Sequence, residues 1–431
     1  MTRSAVVGRT RNRFRSNRRW RSSTAGRART SIRRWSTRSS PVSARSTRPN
    51  AASRTLRPLM FARWLMTSLL FVDDESNVLD GLRRLFRSER KGWEMAFASS
   101  GHEALELLQH RRFDVVVSDM RMPGMDGAEL LQHVATICPG TVRIVLSGQS
   151  ERERIVRALA TAHQYLSKPC DPELLRRTVA QAVRLRDRLP STPLKRAVST
   201  VVRVPSAPES YAALVEQFAS ETPDLATVAE IVASDIGMTA KVLQVVSTSF
   251  FGRPQRVRSA VQAVEILGLE TIGEMLGSGS AFAAFDESSV PGIDMSERNR
   301  HAIEVAECAR RIVSAETEDP QTRADAYLAG MLHDVGQIVL ATQFPDEYQK
   351  AIRSAAENRI PLWMAEHDAF NAGHADIGSY LMGLWGLPEP IIEAICHFRS
   401  PEAVGTGFGL PLQAVHRANG FWQCLIEVGD A

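Results

Sequence analysis

Between Leu69 and about Leu189, five short apolar runs alternate with segments of helical period, and this alternation constrains the fold more than any other feature. The strand-like runs are Leu69–Val72, Glu94–Ala98, Asp114–Val117, Arg143–Leu146 and Gln164–Leu166. The helical segments are Glu75–Arg90, Glu103–His110, Ala128–Cys138, Glu151–Thr161 and Pro172–Leu189. In the first of these, Val78, Leu82, Leu85 and Phe86 share one face. Strands regularly separated by helices pair in parallel, because a parallel crossover needs a long connection. A doubly wound α/β sheet follows, and such sheets bind ligands beyond the carboxyl ends of their strands.

Charged and polar residues fall at those ends. Asp73-Asp74 closes the first run, Asp119 the third, Ser147 the fourth and Lys168-Pro169 the fifth. Alone, each has a commonplace explanation. An acidic pair before a helix complements its dipole, a strand-end serine is a cap, and Lys-Pro is a turn. Together, in order, they place three carboxylates and one ammonium on one rim. Such carboxylates repel one another unless a hard cation lies among them, and Mg2+ prefers oxygen ligands. Held by Asp74 and Asp119, it would leave one Asp119 oxygen free to attack phosphorus. Lys168 could then pair with the phosphoryl charge, and the Ser147 hydroxyl could donate to a phosphoryl oxygen.

Three strings carry a resemblance: Phe71-Val72-Asp73-Asp74, the run from Ser118-Asp119-Met120-Arg121 to Asp126-Gly127, and Tyr165-Leu166-Ser167-Lys168-Pro169. Residues 67–189 resemble the receiver domain of two-component signalling. The resemblance implies a flavodoxin-like five-stranded parallel sheet. It implies Asp119 as phosphoacceptor, and Asp73, Asp74, Asp119 and the Arg121 backbone carbonyl as ligands of Mg2+. It implies Ser147 and Tyr165 as a switch pair drawn inward on phosphorylation, and a cis Lys168–Pro169 bond. The surface of the fourth helix, fifth strand and fifth helix would then change shape.

Pro190, Pro193, Pro205 and Pro208, with Ser and Thr between them, mark a linker over 190–208. From Glu209 to the end the pattern is helical: Tyr211–Ala219, Leu225–Ser234, Thr239–Ser247, Ala260–Leu267, Arg298–Ala315, Arg323–Leu340, Pro345–Glu357, Leu362–Met382 and Glu389–His397. His333-Asp334 sits in an apolar helical context, with His301, His374 and His397 at other helical positions. Imidazole and carboxylate together suit Zn, Fe or Mn.

Further strings are Val232–Leu243, Ser249-Phe250-Phe251-Gly252, Ala263–Leu269, Ala329–Gly336 and Gly373–Gly378, followed by Leu384–Pro388. On these the region 209–431 resembles the HDOD family, an all-α, HD-like output domain. The related HD phosphohydrolases bind metal through His…His-Asp…Asp. His301, His333 and Asp334 match the first three elements, but Asn419 stands where the last acid is expected. Gln337 follows the HD pair without the lysine of the cyclic-dinucleotide-cleaving subgroup, and no Gly-Tyr-Pro string occurs. The resemblance therefore implies a degenerate HD site, no cofactor in the output domain and no catalysis. A receiver-gated, metal-dependent phosphohydrolase or phosphodiesterase with a residual divalent metal is the alternative. Implied partners are a sensor histidine kinase or phosphotransfer protein, a downstream protein, and a second copy docking through the receiver.

The average charge of +5 hides two opposed parts. Residues 1–65 hold 18 Arg and no Lys, Asp or Glu; the remaining 35 basic residues face 48 acidic ones, a net charge of −13. An acidic body argues against nucleic-acid binding by the folded part. The Arg/Ser-rich segment, 1–66 with Met66, has no hydrophobic period and is expected to be disordered. It reads as an over-called start, with Met66-Thr67-Ser68 directly before the first strand, or as a basic nucleic-acid-binding arm, a transit peptide or another tail. The five cysteines form no CxxC pair. No run is long and apolar enough to span a bilayer, and no signal-peptide h-region follows Met1. A cytoplasmic location is expected.

Overall fold

The computed structural model describes residues 66–148, 161–185, 188–189, 192–247, 256–405 and 407–429. The basic segment, the helix expected over Glu151–Thr161, Pro190 and the Ser249–Gly252 string lie outside the described residues. The strands are β1 (Thr67–Val72), β2 (Trp93–Ala98), β3 (Val115–Asp119), β4 (Val142–Gly148) and β5 (Gln164–Lys168). They form one parallel sheet in the order β2-β1-β3-β4-β5. Helices α1 (Ser76–Leu85), α2 (Gly101–His110), α3 (Gly127–Ile137) and α4 (Pro172–Leu185) flank it. The central strands β3 and β4 are buried almost throughout, as sheets covered on both faces require.

The strand order reverses between β1 and β3, and Val72 pairs with Ser118 there. The chain leaves β1 and β3 in opposite directions at this point, which opens a crevice at their carboxyl ends. Gly127 starts α3 beside that crevice. A Cβ at Gly127 would lie 2.1 Å from the Asp119 carbonyl oxygen, so only glycine lets the helix start so near the strand end. Asp126 caps α3 by accepting from the Glu129 amide at 2.9 Å, and Glu129 returns a bond to the Asp126 amide.

The remaining helices are α5 (Thr192–Ser199), α6 (Pro208–Ala219), α7 (Leu225–Ala233), α8 (Ile236–Val246), α9 (Ala260–Gly277), α10 (Met295–Glu316) and α11 (Pro320–Leu332). They continue as α12 (Val335–Gln343), α13 (Pro345–Asn358), α14 (Leu362–Phe370), α15 (His374–Leu384), α16 (Glu389–His397) and α17 (Leu410–Gly429). One apolar cluster runs without a gap from Leu69 in the sheet to Ala418 in α17. None of the described helices is long and apolar enough to cross a membrane.

Four sequence expectations differ from these bounds. The stretch read as a linker carries α5, whose Leu194 and Val198 are buried in the shared core. Arg323–Leu340 is two helices, broken at His333-Asp334. Leu362–Met382 is also two, broken where Asn371 adopts a left-handed φ of 55°. Helix α17 lies within the region read as helical but was given no bounds of its own.

Close helix crossings hold the C-terminal region together. A Cβ on Gly330 would lie 2.6 Å from the Ala306 Cα, so α10 and α11 touch backbone to backbone. A Cβ on Gly336 would lie 1.9 Å from the His374 carbonyl oxygen. Gly336→Ala should therefore force α12 and α15 apart and lower stability by about 1–3 kcal/mol. Gly277→Ala, with nothing within 4 Å, should be neutral or slightly stabilising. Urea midpoints of the two variants test the pair; equal midpoints would refute the crossing.

Candidate functional sites at the sheet rim and the helix break

The rim of the sheet brings Asp73, Asp74, Asp119 and Lys168 together. Carboxylate oxygens of the three acids lie within 4.8 Å of one another. Asp73 and Asp119 are buried, and Asp74 is exposed. The Lys168 ammonium bridges Asp119 Oδ1 at 2.5 Å and Asp73 Oδ2 at 2.8 Å. The Arg121 amide donates to Asp119 Oδ2 at 3.1 Å, and the Glu75 amide to Asp73 Oδ1 at 3.0 Å. Burial raises the Asp119 pKa, and Lys168 offsets this only in part. Burial works against the charge on Lys168, but its two carboxylates outweigh burial and raise its pKa. The lysine is thus firmly charged while its main partner remains a weaker acid than usual.

Ser147 is buried at the penultimate position of β4, one step beyond the residue paired with Asp119, and its hydroxyl donates to the Gly148 carbonyl at 3.3 Å. Tyr165 on β5 is buried, and its hydroxyl donates to the Ala162 carbonyl at 3.3 Å. The Tyr165 ring is thus buried in this structure. The Lys168–Pro169 bond is cis.

A second cluster lies where α11 gives way to α12. Asp334 is the residue before α12, yet its carboxylate makes no capping bond to the helix amides. It faces three histidines instead. Asp334 Oδ2 is 3.4 Å from His333 Nε2 and 3.6 Å from His301 Nε2, and Oδ1 is 3.3 Å from His374 Nε2. The His301 and His333 Nε2 atoms are 3.2 Å apart. The two glycine crossings produce this meeting: Gly330 draws His301 on α10 to His333, and Gly336 draws His374 on α15 to Asp334.

His374 Nδ1 lies 2.5 Å from Oε2 of the fully buried Glu366, whose Oε1 accepts from the Tyr348 hydroxyl at 3.1 Å. Burial opposes charge on both groups, but each charge stabilises the other. Glu366 is held below its ordinary range, and His374 is raised to about 9. The Arg399 guanidinium also lies 3.2 Å from His374 Nε2. His301 is pushed down to about 4 by burial and then by His333. Burial disfavours the Asp334 anion, yet neighbouring His333 and His374 hold its carboxyl well below the usual range.

The response regulator receiver family matches residues 69–180, and the HDOD domain family matches residues 204–401. The chain joins a response regulator receiver domain to an HDOD domain. An uncharacterized protein of Treponema pallidum is 29% identical over 216 residues, 48% of this chain and 41% of that protein. The hydrogenase transcriptional regulatory protein HoxA of Cupriavidus necator is 40% identical over 118 residues, 27% of this chain and 24% of that protein. The chain thus spans less than half the length of these relatives. Among solved structures, the MmoQ response regulator of Methylococcus capsulatus shares 25% identity, with 50% of this chain and 86% of that one covered at a TM-score of 0.42. The signal receiver domain of an HD domain-containing protein of Pseudomonas fluorescens shares 32% identity, with 28% and 95% covered at a TM-score of 0.27.

In the HDOD domain, His301, His333 and Asp334 lie together. Asn419 is buried on α17, one turn before Trp422, whose ring stands 4.2 Å from that of His301. Sequence reasoning named His374 but missed its coupling to Glu366 and Tyr348. Eight residues and a helix break separate His374 from Glu366, so no helical spacing joins them.

The receiver packs directly on the HDOD domain. Gln164 of β5 donates to the carbonyls of Gly383 (3.3 Å) and Leu384 (3.0 Å) at the end of α15. Gln181 donates to the Leu387 carbonyl at 3.0 Å, and Arg188 pairs with Glu389 at 3.0 Å. Arg143, almost fully buried, donates to the Ser199 carbonyl of α5 at 2.9 Å.

Glu366→Gln should cost about 3–5 kcal/mol, the range for leaving a buried charge without its partner. The cost should depend on pH. The folded His374 pKa of about 9 exceeds its ordinary 6.5, so its contribution is complete below pH 6.5 and lost as pH rises through 9. The depressed Glu366 contribution is complete above its ordinary 4.5 and lost as pH falls through its lowered value. The gap between wild type and variant, from urea unfolding with chelator present, should be widest from pH 4.5 to 6.5 and shrink by pH 9. A gap that is flat across this range would contradict the pairing.

Proposed function

We propose that this chain is a phosphorylation-switched response regulator in which Asp119 accepts the phosphoryl group and the HDOD domain acts through protein contacts rather than catalysis. The observation that carries the reading is the Lys168 ammonium bridging Asp119 and Asp73 at the sheet's switch point. Three carboxylates suit a hard cation, so Asp73, Asp74, Asp119 and the Arg121 carbonyl would hold Mg2+. Bound there, Mg2+ supplies positive charge against the incoming phosphoryl oxygens.

The protein groups do the rest. An Asp119 carboxylate oxygen attacks phosphorus and forms the P–O bond. The bond from phosphorus to the kinase histidine nitrogen breaks, and its electron pair leaves with the imidazole. Lys168, already charged, exchanges a carboxylate for a phosphoryl oxygen, and the Ser147 hydroxyl donates to another. The Tyr165 ring is buried, and its part in this reading is a change in the bonding of its hydroxyl, which donates here to the Ala162 carbonyl. Its neighbour Gln164 carries the change to the end of α15. The matching donor is a sensor histidine kinase or phosphotransfer protein, the output is a downstream protein, and receiver–receiver dimerisation is a second route for the signal. The chain would act in the cytoplasm. The domain limits that go with this reading are 67–189 for the receiver and 209–431 for the output.

A hydrolytic output domain has one observation in its favour, the meeting of His301, His333 and Asp334. Against it stands the neutral Asn419. Turnover of cyclic dinucleotides or simple phosphodiesters that disappears in His333→Ala would decide for hydrolysis.

Acetyl phosphate with Mg2+ should label the wild type and leave Asp119→Ala unlabelled by intact-protein mass spectrometry. Lys168→Met should be labelled at least tenfold more slowly, since a charge-assisted contact contributes about 1.5–3 kcal/mol. Equal labelling of Asp119→Ala would end the proposal. On phosphorylation, amide exchange should change in β5 and the last turn of α15; no change there would refute the Gln164 route.

A further inference from the structure

We propose that the receiver holds the interdomain helix α5 through a proton-sensitive latch, in which Arg143 and an uncharged His163 together grip the Ser199 carbonyl, and that acidification releases the helix. Ser199 is the last residue of α5, where helix carbonyls lack partners of their own. Its carbonyl oxygen lies 2.9 Å from Arg143 Nη2 and 2.9 Å from His163 Nε2, and both nitrogens donate to it. A third contact fixes the tautomer. The Arg143 amide donates to His163 Nδ1 at 3.0 Å, so Nδ1 has no proton and Nε2 carries one. The rest of the guanidinium is anchored in the receiver. It donates to the carbonyls of Thr161 at 2.5 Å, Thr141 at 3.2 Å and Pro139 at 3.3 Å.

A second proton on His163 breaks this arrangement twice. It can go only to Nδ1, where it displaces the Arg143 amide. It also sets an imidazolium 3.0 Å from the guanidinium. Arg143 is 1% exposed and His163 2%, so water does little to screen that repulsion. The ionisable groups facing the pair are Tyr165 on β5 and Tyr380 on α15, both neutral and held so by burial. From α8, Gln244 donates to the His163 carbonyl at 3.2 Å and accepts from Lys241 at 3.0 Å, which adds a cation and no acid. The charged residues of α5 itself, Lys195 and Arg196, are cations as well. Burial and then Arg143 hold the His163 pKa well below its ordinary 6.5, against the bond to Ser199.

Helix α5 depends on the latch. Its eight residues are too few to hold a helix alone in water. Leu194 and Val198 are buried in the core shared by both domains, and the Ser199 hydroxyl stands 3.4 Å from that of Tyr380 on α15. Loss of the grip on Ser199 therefore frees the segment that joins the receiver to the HDOD domain. The sign follows from the depressed pKa. The contribution of neutral His163 is complete above pH 6.5 and is lost as pH falls below it, about tenfold per unit until the docked-state pKa is reached. Lys241, pushed down to about 7 by burial and then by Arg203, takes up its proton above this window and stays charged through it. The latch lies at the starts of β4 and β5, the sheet edge opposite Asp119, and it needs no phosphoryl group.

The test is amide exchange of the full chain by mass spectrometry between about pH 7 and pH 5, without phosphodonor, each rate divided by the intrinsic rate at that pH. From about pH 6.5 to pH 5, protection of α5 should fall at least tenfold while that of the central strand β3 holds. His163→Asn should keep α5 protected across the range, because the Asn Oδ1 accepts from the Arg143 amide and does not titrate. His133→Asn, at an exposed position on α3, should follow the wild type. Should His163→Asn fail to fold, the wild-type profile alone decides. Protection of α5 that stays flat in the wild type, that falls together with β3, or that falls equally in His163→Asn would overturn the latch.

Discussion

The parallel sheet forces acidic residues together, and Lys168 makes that tolerable. Asp73 follows β1 and Asp119 ends β3, adjacent strands at the point where the order reverses. Neither carboxylate can retreat into solvent, because both are buried. One ammonium within 2.8 Å of both offsets their repulsion and their desolvation. The offset is incomplete, since Asp119 stays a weaker acid than usual. A site that is short of positive charge has room for more of it, and this follows from strand order as much as from residue identity.

The sheet and its rim were legible because period-two and period-3.6 patterns are local. Each polar residue sat directly after an apolar run, so naming the runs placed Asp119, Ser147 and Lys168 on one edge. The helical half was less legible. Arg323–Leu340 keeps one apolar pattern through His333-Asp334, and nothing in that pattern marks a break. Only the approach of α15 to Gly336 shows why the backbone turns there. The stretch from Thr192 to Ser199 sits among prolines, which disguise a short helix whose stability comes from burying Leu194 and Val198.

Glycines in the HDOD domain act at a distance from their own φ and ψ. Gly330 and Gly336 sit within helices at ordinary angles, and their value is the missing Cβ. Each lets a neighbouring backbone come to contact, and each contact brings a histidine from a remote part of the sequence. The Ala-Gly-Met-Leu-His-Asp-Val-Gly string therefore holds two members of the histidine–aspartate cluster and also the two crossings that supply their partners. The buried His374–Glu366 pair follows from the same geometry, since α15 could not bring His374 to Asp334 if Gly336 carried a side chain.

The two sites are physically joined through α15. Its first residue is His374, inside the histidine cluster, and its last carbonyls accept from Gln164 on β5. Eleven residues of α-helix span about 16 Å as one stiff unit. The junction around its C-terminal end is close-packed: a Cβ on Gly383 would lie 2.5 Å from Leu185 of α4. It is also costly to open. Lys241, buried at the same junction, holds the Val202 carbonyl at 2.7 Å and Gln244 at 3.0 Å, and Gln244 in turn donates to the His163 carbonyl just before β5. Buried polar groups of this kind tolerate being fully paired or fully solvated, and little between. In this structure these groups stand paired, and the junction is built on the strand that carries Tyr165 and Lys168.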